Sequence, residues 1–125
     1  MTIEQIEKMN QQFQHRALGL SELMPNTDMM GFATLLKRSA EHIHRLFAKL
    51  VMAQSERAFW PAYEKMDEVI NDLIYELDRL HDVNCVLRIK AVDTFVKSGY
   101  DLLSIYSISS DQVLKQFMKT QNIRS

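Results

Sequence analysis

Residues that break helices are scarce in this chain, which has 3 glycines and 2 prolines among its 125 residues. Between them, apolar residues recur three and four positions apart over stretches of about twenty residues, the repeat of an amphipathic helix. The clearest stretch runs from Met30 to Leu50, and its apolar stripe consists of Phe32, Leu36, Ile43, Phe47 and Leu50. This pattern predicts an all-α fold with a few long helices.

Five helices are predicted from the apolar stripes and from residues that favour helix ends. The first two helices are expected over 3–23 and 29–54. The third is expected to begin within 55–60 and to end at 82–84. The fourth and fifth are expected over 86–106 and 111–120. Thr2 and Gln5 have the spacing of a capping box before the first helix. Asn84 is expected in the left-handed cap of the third, and the serines within 107–110 predict a break before the short fifth helix. Gly19 is expected to permit a close helix crossing.

The connections between these helices are short, and short connections imply antiparallel neighbours. Pro25 to Asp28 forms the first of them, because proline cannot continue a helix. A chain of 125 residues is long enough for one core. We therefore expect a single domain, residues 1–125, folded as an antiparallel up-down-up-down four-helix bundle with a short C-terminal fifth helix. Trp60 is expected either to cover the end of this bundle or to be an exposed interface anchor.

The cellular environment is indicated by the cysteine content and by the absence of long apolar runs. The single Cys85 excludes an intrachain disulfide and fits a reducing compartment. No apolar stretch reaches the roughly 18 to 20 residues of a membrane span, and no signal-peptide pattern begins the chain. The sequence predicts a cytoplasmic protein with no membrane partner.

Catalytic and metal sites find little support in the sequence. Glu41 and His44 have the Glu-x-x-His spacing of di-iron bundles, but at 100° per residue Glu41 points about 160° away from Ile43, the centre of the apolar stripe. A histidine-phosphotransfer motif would need a histidine where Thr34 stands. We expect no metal, no cofactor, no small-molecule substrate and no enzymatic activity.

Charged residues offer the remaining candidate surface. A basic face is predicted on helix two, extended by one residue of helix three: Lys37, Arg38, His42, Arg45, Lys49 and Arg57. An acidic row with four-residue spacing is predicted on helix three: Glu64, Glu68, Asp72 and Glu76. The basic face could be a solvated surface, a contact for the phosphate backbone of RNA or DNA, or a surface that meets the acidic row of another copy in a head-to-tail ring.

The segment from about 24 to 105 resembles the four-helix-bundle family of the 23S rRNA intervening-sequence proteins, which also includes the accessory variability protein of diversity-generating retroelements. In that family, a proline that ends helix one is followed by a Gly-apolar-x-x-Leu-basic-basic-small-Ala run, as Pro25 is followed here by 31–40. Ser55 with Phe59, and the turn at 82–84, are similar to the family pattern in order and spacing. The resemblance implies a non-enzymatic bundle that forms rings, often of five, and acts with RNA or DNA.

We therefore expect a non-enzymatic, homo-oligomeric interaction protein whose basic face contacts nucleic acid. The alternative is a protein–protein assembly or regulatory module with no nucleic-acid role.

Overall fold

The computed structural model describes the backbone of residues 1–23 and 28–124 and the side chains of residues 1–22 and 31–121. Within these ranges every regular element is an α-helix, which confirms the all-α prediction. The helices are α1 (Ile3–Leu23), α2 (Asp28–Met52), α3 (Glu56–Leu87) and α4 (Lys90–Arg124). Of the predicted connection at 25–28, residues 25–27 lie outside the described residues, and Asp28 is the first residue of α2.

Side-chain caps explain where α1 and α3 begin. The Thr2 N–H donates to Gln5 Oε1 at 2.8 Å and the Gln5 N–H donates to Thr2 Oγ1 at 3.2 Å, so the predicted capping box is confirmed. Before α3, Ser55 has an extended backbone and its Oγ accepts from the Ala58 N–H at 3.2 Å. Both caps satisfy amides that have no partner inside the helix.

The prediction that α3 ends in a left-handed Asn84 is wrong. Asn84 is buried inside α3, and Arg88 takes the left-handed conformation instead, with φ of 56° and ψ of 44°. The Asn84 side-chain amide donates to the Ile89 carbonyl at 3.0 Å and to Asp93 Oδ1 at 2.7 Å, while its oxygen accepts from the Ile89 N–H at 3.0 Å. Asn84 therefore joins α3 to α4 by its side chain, and the helix continues to Leu87.

The predicted short fifth helix is also wrong as a separate element, because α4 continues without a break through 107–110. Serine is only mildly unfavourable inside a helix, by roughly half a kcal/mol per residue. Beyond these serines the core-facing spacing continues, since Val113 is half-buried and Phe117 is buried. Packing of this extension therefore outweighs the weak local preference for a break.

The close helix approach occurs at Gly99 rather than at Gly19. A methyl group on Gly99 would lie 2.8 and 2.9 Å from the two Cδ atoms of Leu77 and 3.1 Å from Cε1 of Phe13. Among the described residues, nothing outside its own helical turn lies within 4 Å of a methyl group on Gly19. Gly99 therefore lets α4 approach both α1 and α3 in the main core, which draws on all four helices.

Contacts between α3 and α4 pair high residue numbers on one helix with low numbers on the other. They join Tyr63 to Asp111, Asp78 to Tyr100, and Asn84 to Asp93. A second apolar cluster lies where the end of α2, the start of α3 and the later part of α4 meet; its buried members are Leu50, Phe59, Ala62 and Phe117. In the described part of the chain, no helix is both long enough and apolar enough to cross a membrane.

Candidate interaction surfaces

Three of the predicted basic residues form an exposed line on α2, here called the basic row: Arg38, Arg45 and Lys49. Their spacing places them within about 40° of one another around the helix axis. Among the described residues, no carboxylate lies within 4.0 Å of any of these three cations. Arg57, in the first turn of α3, is also exposed and has no such ion pair. These four cations are available to an external anion.

Lys37 and His42, which were predicted with the basic row, have different surroundings. Lys37 Nζ lies 3.2 Å from Glu41 Oε1 in an ion pair along α2, about 100° around the helix from Arg38. His42 is half-buried in the groove between α2 and α3, whose walls also include Asp72 and Glu76. The positive surface is therefore narrower than the sequence suggested.

The predicted acidic row on α3 does not remain on one face. A four-residue step advances about 400° around a helix, so the direction drifts by about 40° per step and by about 120° from Glu64 to Glu76. Glu68 pairs with Lys65 at 3.3 Å, and Glu76 pairs with Arg79 at 3.4 Å. Two of the four carboxylates are thus matched by cations of their own helix.

A second groove, here called the acidic groove, lies between α3 and α4 and has a volume of about 350 Å³. Its lining residues are Asp67, Ile70, Asn71, Ile74, Tyr100, Leu103, Ser104, Ser107 and Ile108. Asp101 falls on the same side of α4 as Ser104 and Ile108, because the three are spaced three and four residues apart. Lys97 and Lys115 continue this side of α4 in both directions.

Tyrosine hydroxyls fix two further carboxylates beside the acidic groove. Tyr63 donates to Asp111 at 3.2 Å, and Tyr100 donates to Asp78. Burial raises the pKa of Tyr63, and nearby Asp111 raises it further. Burial likewise raises the pKa of Tyr100 to about 12, with the hydrogen bond to Asp78 as the next cause. Asp67 and Asp78 stand apart from the four-spaced row in the sequence, but their eleven-residue spacing places them within about 20° of each other on α3. The packing of α4 then places Tyr100 beside Asp78.

A buried polar network crosses α1, α2 and α4. The Asn10 side-chain amide donates to the Ala40 carbonyl at 2.9 Å and to the Tyr106 hydroxyl at 2.7 Å, and Gln14 donates to Asn10 Oδ1 at 2.6 Å. The Tyr106 hydroxyl, which accepts from Asn10, also forms a hydrogen bond with His44 Nδ1 at 2.8 Å. Burial is the main cause that raises the pKa of Tyr106. The sequence held a signal for this network, since Asn10 occupies a position of the inner α1 stripe between Ile6 and Phe13.

The same network bears on the Glu-x-x-His pair of α2. Glu41 pairs with Lys37 and His44 bonds Tyr106, so the two side chains serve different partners. In the part of the chain that the structure describes, no three His, Cys, Asp or Glu side chains form a group that could hold a metal ion.

A cavity of about 1050 Å³ opens near the ends of α2 and α4, where Phe47, Leu50 and Phe117 contribute to its wall. Trp60 lies nearby at the start of α3, with its ring 5.2 Å from that of Phe59 and 6.3 Å from that of Phe117 between centroids. Trp60 therefore packs edge-on against these two rings and remains 36% exposed to solvent.

Comparisons of this chain with family models, curated proteins and solved structures each find no match. The resemblance of 24–105 to the intervening-sequence proteins therefore stays a prediction, and function is inferred from the placement of side chains.

Proposed function

We propose that this chain is a non-enzymatic helical-bundle interaction protein that associates with further copies of itself through charged surfaces. One observation carries this proposal: unpaired charges of opposite sign lie on different sides of a molecule whose net charge is only -1. The basic row lies on α2, and the carboxylates of the acidic groove lie between α3 and α4. Surfaces of opposite sign attract and orient two molecules before contact.

The helices are proposed to run up, down, up and down in an antiparallel bundle. This arrangement is supported by the order of the α3–α4 contacts, from Tyr63 with Asp111 to Asn84 with Asp93. It presents α2 and the acidic groove on separate sides, as head-to-tail association requires. A cytoplasmic location is proposed on the single cysteine.

Light scattering at low and high salt tests self-association. We expect a mass above one chain at low salt, which falls as salt screens the charged surfaces. The variant Arg38→Glu/Arg45→Glu should fall to one chain under the same low-salt conditions. The control Lys8→Glu/Arg16→Glu makes the same charge change at two exposed positions of α1 and should keep the wild-type mass. A wild-type protein that remains a monomer at low salt would refute the proposal.

A second candidate function is binding of RNA or DNA, which the four unpaired cations of α2 and α3 favour. Each contact between such a cation and a phosphate releases condensed counterions. Affinity for structured RNA or duplex DNA should therefore fall steeply as salt rises, and Arg38→Glu/Arg45→Glu should make the slope of log K against log salt less negative by about 2. Absence of binding at about 50 mM salt would exclude this candidate.

A further inference from the structure

We infer that the acidic groove between α3 and α4 receives α2 of a second copy, so that copies associate head to tail. This inference rests on the proposed self-association and identifies the two surfaces that meet.

The groove has the shape that a docked helix requires. Ile74 and Ile108 are exposed along it, the latter by 54%. The side chains of Ser104 and Ser107, on the α4 wall of the groove, are short and exposed, so another helix can approach closely there. A helix seated here would remove the two isoleucines from water, and burial of apolar surface favours association.

The outer side of α2 matches this groove in its apolar content. Leu35 is 45% exposed and lies about 60° around the helix axis from Arg38. A copy that places its basic row over the carboxylates can therefore also place Leu35 on the isoleucines. This combination of an apolar contact with flanking charges is typical of a helix bound in a groove.

The basic row and the carboxylates at the acidic groove are opposite in charge and extend over similar lengths. Along α2, the eleven residue steps from Arg38 to Lys49 span about 16 Å. Along α4, the ten steps from Asp101 to Asp111 span about 15 Å. Asp67 adds a third carboxylate from α3, and the lysines of this side of α4 stand outside the span between Asp101 and Asp111. One carboxylate thus lines the groove and two others stand on the α4 side of it, over about the length that the basic row covers.

The two surfaces are distinct on each copy, so one molecule can donate its α2 and receive another α2 at the same time. Such a heterologous contact gives a closed ring if the rotation between copies closes, and an open chain if it does not. A defined ring and an open chain are distinguished by whether the mass reaches a plateau as protein concentration rises.

Reciprocal charge reversal tests which surfaces meet. The donor variant is Arg38→Glu/Arg45→Glu, and the receiver variant is Asp67→Lys/Asp101→Lys, both at exposed positions. Each variant alone places like charges at every junction, so its association constant should fall by more than about tenfold. An equimolar mixture should assemble again, because each variant then meets a surface of opposite sign at both junctions. The control Lys8→Glu/Arg16→Glu should assemble alone. Mixed with either variant it can form only one of the two junctions, so the variant should end a chain of control copies instead of extending it.

A second test fills the groove without changing charge. Ser104→Tyr/Ser107→Tyr places two large side chains at exposed positions of α4 and should abolish assembly, whereas Gln11→Tyr/Gln12→Tyr on the exposed side of α1 should not. Circular dichroism confirms that each variant remains helical.

The outcomes separate this inference from the proposed function. A wild-type monomer would overturn both. If the wild type assembles and the receiver variant or the filled-groove variant assembles equally well, self-association stands and the acidic groove is excluded as its receiving surface. Failure of the mixed variants to recover would also overturn the pairing of these two surfaces.

Discussion

Two alanine substitutions measure the energetic cost of adding a methyl group at the close approach of Gly99. Both replace a glycine inside a helix and so gain the same helix propensity, but the two sites differ in the atoms that surround them. Gly99→Ala places a methyl group 2.8 and 2.9 Å from the Cδ atoms of Leu77. Among the described residues, nothing outside its own turn lies within 4 Å of the methyl group that Gly19→Ala adds. Optimal carbon–carbon contacts are about 3.5 to 4.0 Å long. Leu77 must therefore withdraw by roughly 0.7 Å or more, and it is buried.

The expected magnitudes follow from these contacts. Replacing glycine by alanine inside a helix gains about 1 kcal/mol of stability. Overpacking of a filled core costs typically about 1 to 3 kcal/mol. The adjoining cavity has only about 10 Å³ of space, which is too little to accept the displaced Leu77 methyl groups. Gly19→Ala should thus stabilise by about 1 kcal/mol, and Gly99→Ala should destabilise by about 0 to 2 kcal/mol.

Urea unfolding followed by far-ultraviolet circular dichroism gives the comparison. With an m value of about 2 kcal/mol/M, the midpoints of the two variants should differ by about 0.5 to 1.5 M. Gly31→Ala is a second open-site control, since nothing outside its own turn lies within 4 Å of a methyl group there among the described residues. The reasoning is refuted if Gly99→Ala raises the midpoint as much as Gly19→Ala does.

A double-mutant cycle attributes the cost to one neighbour. Leu77→Val removes the two Cδ atoms that a methyl group on Gly99 would contact. In that background, Gly99→Ala should lose the part of its penalty that Leu77 causes and keep the tight contact with Phe13 Cε1, which gives a coupling energy of about 1 to 3 kcal/mol. A coupling near zero would show that Leu77 does not limit the space at Gly99.

Three further predictions concern individual side chains. Ser110→Ala should raise the free energy of unfolding by about 1 to 2 kcal/mol, because the buried Ser110 hydroxyl has no hydrogen-bond partner among the described residues; a lower urea midpoint would contradict this. Arg88→Gly should raise the Tm by about 2 to 4 °C, because glycine adopts a left-handed conformation without steric cost; an unchanged or lower Tm in scanning calorimetry would argue against it. The pKa of Tyr100 is raised from 10.0 to about 12, so the neutral phenol is favoured in the folded state. The resulting contribution to the free energy of unfolding is complete below pH 10 and is lost as pH rises from 10 to 12. Relative to Tyr100→Phe, the wild type should therefore lose stability across that window in urea titrations, and parallel curves for the two proteins would exclude the effect.

Local signals predicted the helices well where the deciding groups are near in sequence. The capping box of Thr2 and Gln5 lies within one turn, and the predicted range of α1 agrees with the structure. The end of α3 was missed, because Asn84 bonds Asp93, nine residues further along, instead of capping its own helix. The separate fifth helix failed because packing of Phe117 in the small apolar cluster outweighs the local preference of the serines.

The charged surfaces were also predicted only in part, because some of them depend on contacts between residues that are distant in the sequence. The spacing of Arg38, Arg45 and Lys49 is a property of one helix, so the basic row could be read from the sequence. The acidic groove requires α3 and α4 to pack in a particular arrangement, and spacing along one helix contains no information on it. Gly99 shows the same limit. A side chain at this position would collide with Leu77 and Phe13, which belong to other helices.

The hydrogen bonds of Asn10, Tyr106 and His44 also determine how the helices can slide past one another. Leucine, valine and phenylalanine contacts are not directional, so an apolar interface opposes a shift by one helical turn of about 5.4 Å only through the fit of its side chains. Such a shift would separate the Asn10 amide from the Ala40 carbonyl and from Tyr106, and each buried group left unpaired costs about 1 to 3 kcal/mol. Out-of-register packings of α1, α2 and α4 are therefore penalised by the polar bonds that the native alignment alone satisfies. The network therefore adds a directional penalty against axial shifts to the steric fit that the core already imposes at Gly99.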